Sequence, residues 1–457
     1  MTPARRPGGS SRRDFLRTSA AAAAGVSLWT VGGYSWSQAR GQAPNDKIRF
    51  ACFGVGGKGS SDTDDAGTFG EIVALCDIDE NTLNEKASKF PNARKYYDYR
   101  TLLEELGDKI DAVTVSTPDH THAVIAAAAM RMGKHAFVQK PLTWSIEEAR
   151  YLRELAAEKK LATQMGNQGT AADGLRRGAE ILKSGALGTV HTIHCWTNRP
   201  VWPQGMKRPQ GEKPVPPHIH WNEFVGPAPM RPFNDGYHPF DWRGWLDYGT
   251  GALGDMACHT LNVAFMGLDL IDPISAEVVD TSGIVDNESF PVWSVIKLEF
   301  AARGDRAPLT LYWYDGGKNL PDSKKFPDEL LYGKKRDDSG LLVIGDKGSF
   351  YSQNDYGSEY VLLPEENYKE YQAPEPFIPR CKGGHFREFI DGIEGKLTPM
   401  SNFDYAGKLT ETVLLGVVAL RAGAKIEWDA AAMKAKGNPS ADAFIRRDYR
   451  KGFELRA

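Results

Sequence analysis

Asp255 and His259 stand four positions apart in "GDMACHTLNVAF", residues 254 to 265. On a helix that spacing puts both side chains on one face, one turn apart, where a carboxylate can hold one nitrogen of an imidazole. An oriented neutral imidazole is a base for a hydroxyl proton. The same two residues could serve the helix alone, Asp255 as a cap after "GALG" and His259 through a local hydrogen bond. Lys140 adds a third group. It lies in "HAFVQKP", between an apolar strand and a proline that holds the lysine extended. A cation fixed at a strand end can stabilise a developing alkoxide.

The elements around these residues alternate between strands and helices. "KIRFACFGVGGKGS" is an apolar strand running into Gly54, Gly56, Gly57 and Gly59, a GxGxxG turn. Such glycines let the backbone approach a pyrophosphate at a helix N-terminus. A second strand, "EIVALCDID", ends in Asp77, placed to hold the adenosine ribose hydroxyls and to repel a 2'-phosphate, which favours NAD over NADP. Asp62, Asp64 and Asp65 crowd the first helix, offset only by Lys58, and are expected to face solvent. "IDAVTVSTPDH", "THAVIAAAAMRMG", "KHAFVQKP", "SIEEARYLRELAAEKK" and "LATQMGN" continue the alternation. The pattern predicts an α/β fold with a doubly wound parallel sheet over residues 44–165. Ligand then sits at the carboxyl ends of the strands, beside Ser116, Thr117 and Pro118 with His122 just beyond, beside Gln139 and Lys140, and beside Asn167 and Gln168.

Residues 166–457 read differently. After the helix "TAADGLRRGAEILKSGALG" and the strand "TVHTIHCWTN", residues 198–240 form a Pro-rich stretch too long for a plain connection and expected to bind ligand. Trp202, Trp242 and Arg243 offer aromatic faces and a donor that suit a sugar ring; equally, the tryptophans could pin the loop to a sheet. "FPVWSVIKLEFA" and "APLTLYWYDG" alternate as strands, residues 315–340 read as a polar insertion, and "LLVIGDKGSFYS" reads as a hairpin about Asp346-Lys347-Gly348. "GHFREFIDGIEG" and "AGKLTETVLLGVVALRAG" are helices, the second expected to pack on the first domain.

Bulk properties set the frame. The 457 residues, 41% hydrophobic, suffice for two domains. The first 43 residues carry six Arg and one Asp, a charge of +5, which leaves −8 on the rest of a chain whose total is −3. An acidic body argues against nucleic acid and anionic membrane as partners. "SRRDFLRTSAAAAAGVSLWTVGG" pairs Arg12 and Arg13 ahead of a weakly apolar run, as in a twin-arginine export signal over residues 1–43. That run is too short and too rich in Gly and Ala for a stable membrane span, so a periplasmic or otherwise exported protein is expected. Five scattered cysteines suggest neither a disulfide framework nor a zinc site, and no metal is expected.

Taken together, the GxGxxG strand, "CDID", "STPDHTHA", "GKH...KP" and "GALGDMACH" resemble the Gfo/Idh/MocA oxidoreductases from about residue 47 to 270, and more loosely beyond. The resemblance implies a Rossmann domain followed by a large, open, mostly antiparallel sheet, a nicotinamide cofactor, and homo-oligomers. It implies an active site of Lys140, Asp255 and His259. One departure is Gln139, which stands where the family has Glu and removes a negative charge beside Lys140. The reading that follows is an NAD-dependent oxidoreductase acting on a hydroxyl of a sugar or sugar derivative, with a tightly bound cofactor. A second reading is an NAD-dependent glycoside hydrolase working through transient oxidation and elimination. A third, a non-catalytic sugar-binding relative, would be expected to lack Lys140 or His259.

Overall fold

The computed structural model describes residues 47–456, so the leader expected over residues 1–43 lies outside the described residues. The first half follows the alternation: β1 (Ile48–Phe53), α1 (Gly57–Phe69), β2 (Gly70–Cys76), α2 (Glu80–Lys89), β3 (Arg94–Tyr96), α3 (Tyr99–Leu106), β4 (Ala112–Val115), α4 (Asp119–Arg131), β5 (His135–Val138), α5 (Ile146–Lys159) and β6 (Thr163–Met165). The strands pair in parallel in the order β3-β2-β1-β4-β5-β6. Near-continuous apolar strands such as β1 and β4 suit this arrangement, because helices cover both faces. Strand order reverses between β1 and β4, and the crevice at that switch point opens at the carboxyl ends. Helix starts differ in a telling way. Asp79 caps α2, and Ser145 with Glu148 forms a capping box on α5, whereas α1 begins at Gly56 with no side-chain cap. Its first amides stay free for a ligand.

The second half contains α6 (Asp173–Lys183), β7 (Val190–Trp196), α7 (Trp221–Val225), α8 (Gly251–Thr260), α9 (Asn262–Leu268), β8 (Ser275–Thr281), β9 (Ser294–Phe300), β10 (Leu309–Asp315), β11 (Gly340–Gly345), β12 (Ser349–Ser352), β13 (Tyr360–Leu363), α10 (His385–Ile393), α11 (Phe403–Ala422), β14 (Ile426–Asp429) and β15 (Lys434–Lys436). Nine strands run in the order β13-β12-β11-β7-β10-β9-β8-β14-β15; β7 and β10 are parallel and the other pairs antiparallel. β11 and β12 form the expected hairpin. The helix expected to return to the first domain does so as α11, through Arg150 on α5, which donates to Glu411 at 2.5 Å and 3.2 Å.

Two features depart from the sequence reading. Residues 315–340, expected to be a polar insertion, send Leu320, Phe326 and Leu331 onto the outer face of the nine-stranded sheet, where they are buried with Trp196, Tyr314, Leu342 and Tyr351. Three apolar side chains spread among many charges carry no periodic signal, yet their burial covers the sheet's aromatic face. A face of the parallel sheet is in turn closed by α10, whose Phe386 and Phe389 pack on Phe50 and Phe137. Four cysteines are buried and Cys381 is half-buried, all as free thiols.

Candidate active site at the strand ends

The glycine turn is shaped for close approach. Gly54 has φ +72°, and a Cβ there would lie 2.7 Å from the Ser116 carbonyl oxygen; at Gly59 it would lie 1.9 Å from the Gly54 oxygen. No side chain fits either position, so β1, β4 and the start of α1 meet backbone to backbone. Asp77 braces the turn from below, accepting from the Val55 amide at 2.8 Å and the Asp79 amide at 3.0 Å. Burial raises its carboxyl pKa against the pull of those amides. Free amides at the start of α1 and an acid at the end of β2 fit a dinucleotide, with pyrophosphate on the turn and ribose beside Asp77.

Asp62 corrects the expectation that the acids of α1 face water. Asp64 and Asp65 are partly or fully exposed, but Asp62 is 1% exposed. It accepts from Ser116 Oγ at 2.8 Å and from Gln139 Nε2 at 2.9 Å, and pairs with Lys58 at 2.6 Å. The charge missing at Gln139 is thus supplied one element away. A Glu at 139 would set two carboxylates face to face, whereas the Gln amide donates to Asp62 and turns Oε1 toward the Lys140 amide at 3.3 Å. Gly166 leaves no other room, since a Cβ there would lie 2.4 Å from Gln139 Nε2.

His122, expected beside the cofactor, is held between two strand-end turns. Its imidazole is buried between the Pro141 carbonyl at 2.9 Å and the Thr117 carbonyl at 2.7 Å. Burial lowers its pKa, and a neutral ring has one N–H, so it donates to one of the two carbonyls and packs its other nitrogen against the second. Thr117 takes a further bond from Thr121 at 2.8 Å. Of the cofactor residues expected here, Ser116, Gln139 and Lys140 line up on one side of the turn and Asp77 on the other.

Lys140, Asp255 and His259 come together, in a geometry the helix spacing did not suggest. Lys140 Nζ donates to Asp255 Oδ1 at 2.5 Å and to the Asp255 carbonyl at 3.2 Å, across 115 residues. Arg243 Nε lies 3.3 Å from the same carboxylate oxygen. Burial would raise the Asp255 carboxyl, but the Lys140 and Arg243 cations outweigh it and hold its pKa well below the usual range. The carboxylate is therefore committed to cations and makes no hydrogen bond to His259. His259 Nδ1 is buried and unpartnered, and the ring meets Tyr356 edge to face at 5.1 Å. Burial, then the Lys140 charge, push its pKa down to about 3 against the pull of Asp255. It is a neutral imidazole beside a fixed cation.

Arg243, expected at the substrate, ties the site together. It reaches Asp119 at 2.8 and 2.9 Å, and Asp119 accepts from the Thr250 amide and hydroxyl at 3.1 and 2.6 Å. The guanidinium stacks on Trp242 and Trp202, 4.2 and 5.6 Å from their rings. Trp202, 7% exposed, bonds Gln204, so it shapes Arg243 and presents no open face; Trp242 is half-buried. Asn167 is buried and bridges Ser401 to the Cys258 carbonyl, while Gln168 is exposed at the crevice rim. Asp62 and Asp119 were missed as site residues, although "STPDH" carried the second; their partners lie 77 and 124 residues away and left no local trace.

The long Pro-rich loop crosses the other end of the crevice. Residues 218–220 bond the turn after Asp77, through Glu80 N to His218 O at 2.9 Å and His220 N to Ile78 O at 2.8 Å. The His220 ring stacks on Tyr97 with centroids 3.6 Å apart. Trp221 belongs to a buried aromatic cluster, with Ile78 packed against it.

Comparison with known proteins gives the same frame. Residues 48–167 match the oxidoreductase family with an NAD-binding Rossmann fold, and residues 181–306 its C-terminal alpha/beta domain. Residues 9–29 match a twin-arginine translocation signal sequence, which marks the chain for export by that route. No helix among the described residues is long and apolar enough to cross a membrane. The chain is 29% identical over 263 residues to a glycosyl hydrolase family 109 protein of Akkermansia muciniphila, covering 48% of this chain and 55% of that one. It therefore spans little more than half the length of that relative. It is 22% identical over 354 residues to a myo-inositol 2-dehydrogenase of Thermotoga maritima, covering 74% and 87%. Among solved structures, the WlbA dehydrogenase of Bordetella pertussis, in complex with NADH and UDP-GlcNAcA, shares the fold with a TM-score of 0.58 at 15% identity, over 84% of this chain and 99% of that one.

Proposed function

From the chain's membership of the Gfo/Idh/MocA oxidoreductase family, which joins an NAD-binding Rossmann domain to an α/β domain, we propose that it oxidises a hydroxyl of a sugar or sugar derivative, with a tightly held NAD. Residues 44–165 carry the cofactor, and residues 166–457 carry the substrate. The observation that carries this reading is the meeting of Lys140 with Asp255 across 115 residues, one helical turn from His259, at the strand ends. Bound dinucleotide supplies the hydride acceptor. His259, neutral and with a free nitrogen, takes the hydroxyl proton. Lys140 offers its remaining N–H to the developing alkoxide and is held for that task by its two bonds to Asp255. Arg243 fixes Asp255 in turn. Asp77 favours NAD over NADP, because a 2'-phosphate would meet its half-buried carboxylate.

The loop tied to residues 78–80 lies over the adenosine side and slows cofactor exchange. A protein exported folded, away from the cytoplasmic pool, gains from a cofactor that does not leave. The same feature supports a second reading. Likeness to a glycosyl hydrolase family 109 protein fits a cycle in which the sugar is oxidised, eliminated, hydrated and reduced again, with no net use of NAD. Mass spectrometry of the purified protein for carried NAD, followed by a glycoside panel assayed without added NAD, tests both. Glycoside cleavage with solvent deuterium incorporated beside the oxidised carbon selects the second reading, and an intact glycosidic bond selects the first. Protein that purifies empty and requires stoichiometric NAD would overturn the tightly held cofactor.

A further inference from the structure

His385 opens α10, after Gly383 and Gly384, both at φ +90°. Those two glycines bring the chain back to the carboxyl end of β6, where His385 Nε2 lies 2.7 Å from the Met165 carbonyl oxygen and Gln164 Nε2 donates to the His385 carbonyl at 2.6 Å. The ring stands edge-on to Phe137 of β5, centroids 5.9 Å apart. A carbonyl only accepts, so Nε2 carries the hydrogen and Nδ1 is left with a bare lone pair. That Nδ1 is closed to solvent and has no partner. An unmatched buried acceptor is costly, and a ligand donor would relieve it. Burial holds the imidazole pKa down to about 4, with Arg176 and Lys58 of the glycine turn adding to the effect, so the ring is uncharged at neutral pH.

An uncharged acceptor discriminates among the parts of a dinucleotide. Pyrophosphate offers no hydrogen at neutral pH, which leaves the ribose hydroxyls, the adenine amino group and the carboxamide N–H groups; the adenine goes with the adenosine ribose, on the Asp77 side. The adenosine ribose belongs to Asp77 on β2, whereas His385 meets β6, at the opposite edge of the strand order. We propose that His385 Nδ1 accepts a hydrogen bond from the nicotinamide half of the cofactor, from its ribose hydroxyl or its carboxamide. This rests on the reading that the crevice holds a nicotinamide dinucleotide.

The test compares wild type, His385→Gln and His385→Leu, stripped of cofactor and titrated with NAD, ADP-ribose and ADP. Gln can donate its amide to Met165 and keep an acceptor; Leu can do neither. His385→Leu is expected to weaken NAD roughly tenfold, the scale of one lost buried hydrogen bond, and to leave ADP unchanged, while His385→Gln stays within about threefold of wild type. ADP-ribose weakened in step with NAD assigns the ribose hydroxyl; ADP-ribose unaffected assigns the carboxamide. Equal losses for ADP and NAD, or no loss for NAD, would overturn the proposal. Wild type that binds neither NAD nor ADP would overturn the dinucleotide reading itself. Should the Leu variant unfold, wild type labelled with [15N]histidine keeps the question decidable: the His385 Nδ1 resonance should move on adding NAD and stay put on adding ADP, and a resonance indifferent to both refutes the contact.

Discussion

The two sides of the crevice are built by opposite means. On the cofactor side, Gly54, Gly59, Asp77 and Ser116 fall within one stretch of chain, and backbone meets backbone at contact distance. On the reacting side, Lys140 finds Asp255 across 115 residues and Arg243 finds Asp119 across 124, so the geometry exists only once both sheets are in place. The difference teaches that binding and chemistry should separate under mutation. Gln139 and Lys140, adjacent in sequence, belong one to each side.

The strongest test of that separation is Lys140→Ala or His259→Ala. Each should lower the rate of substrate-dependent cofactor reduction by about 10²- to 10⁴-fold, the usual scale for a lost proton-transfer or charge-stabilising group. NAD content, measured by mass spectrometry, should be unchanged in His259→Ala. A folded Lys140→Ala protein with full activity would remove Lys140 from the chemistry.

Gln139→Glu probes the seam. A second carboxylate against Asp62 should cost about 1–3 kcal/mol of stability, and Asp62→Asn in the same chain should restore most of it. Denaturant unfolding of the two single variants and the double variant measures the coupling. Additive losses would mean that Asp62 and Gln139 do not act as a pair.

Asp77→Ser perturbs the cofactor side alone. NAD affinity should fall roughly tenfold and discrimination against NADP should relax, as expected when a ribose acceptor is lost. Calorimetric titration with both nucleotides reads this directly, and unchanged NAD affinity would dissociate Asp77 from the ribose.

The smallest expected effect is on acid stability. His259 is held to about 3 in the fold and would titrate near 6.5 unfolded, so the unfolded chain binds the extra proton and stability falls as pH drops from 6.5 toward 3. Between pH 6.5 and 5.5, wild type should lose about 1 kcal/mol more than His259→Gln. Parallel pH profiles for the two proteins would mean that His259 is not held neutral.

Much of the cofactor side was legible in the sequence because its chemistry is local. A glycine turn, the acid ending the next strand and the apolar strands declare themselves within windows of thirty residues or so. Lys140, Asp255 and His259 were also visible as types in place. Their pairing was not: helix spacing offered Asp255 to His259, and a lysine from the other sheet took the carboxylate. Asp62 looked like one of three surface acids until Ser116 and Gln139 enclosed it. "GHFREFIDGIEG" read only as a helix, with nothing to say that its Phe386 and Phe389 would meet Phe50 and Phe137. In each case the deciding contact is with residues far along the chain, and neither propensity nor periodicity carries that information.

The loop across the adenosine side is anchored from far downstream: Arg450 donates to the Gly226 carbonyl at 2.8 Å, 224 residues on, and also reaches Asn222. During synthesis at the usual pace, roughly ten to forty-five seconds separate the emergence of these partners. Throughout that interval the glycine turn and Asp77 precede this one tie, and the loop is held by its bonds to residues 78–80 and not by Arg450. The tie is thus separable from what lies beneath it: losing Arg450 would release the loop at Asn222 and Gly226 without altering a residue of the glycine turn or Asp77.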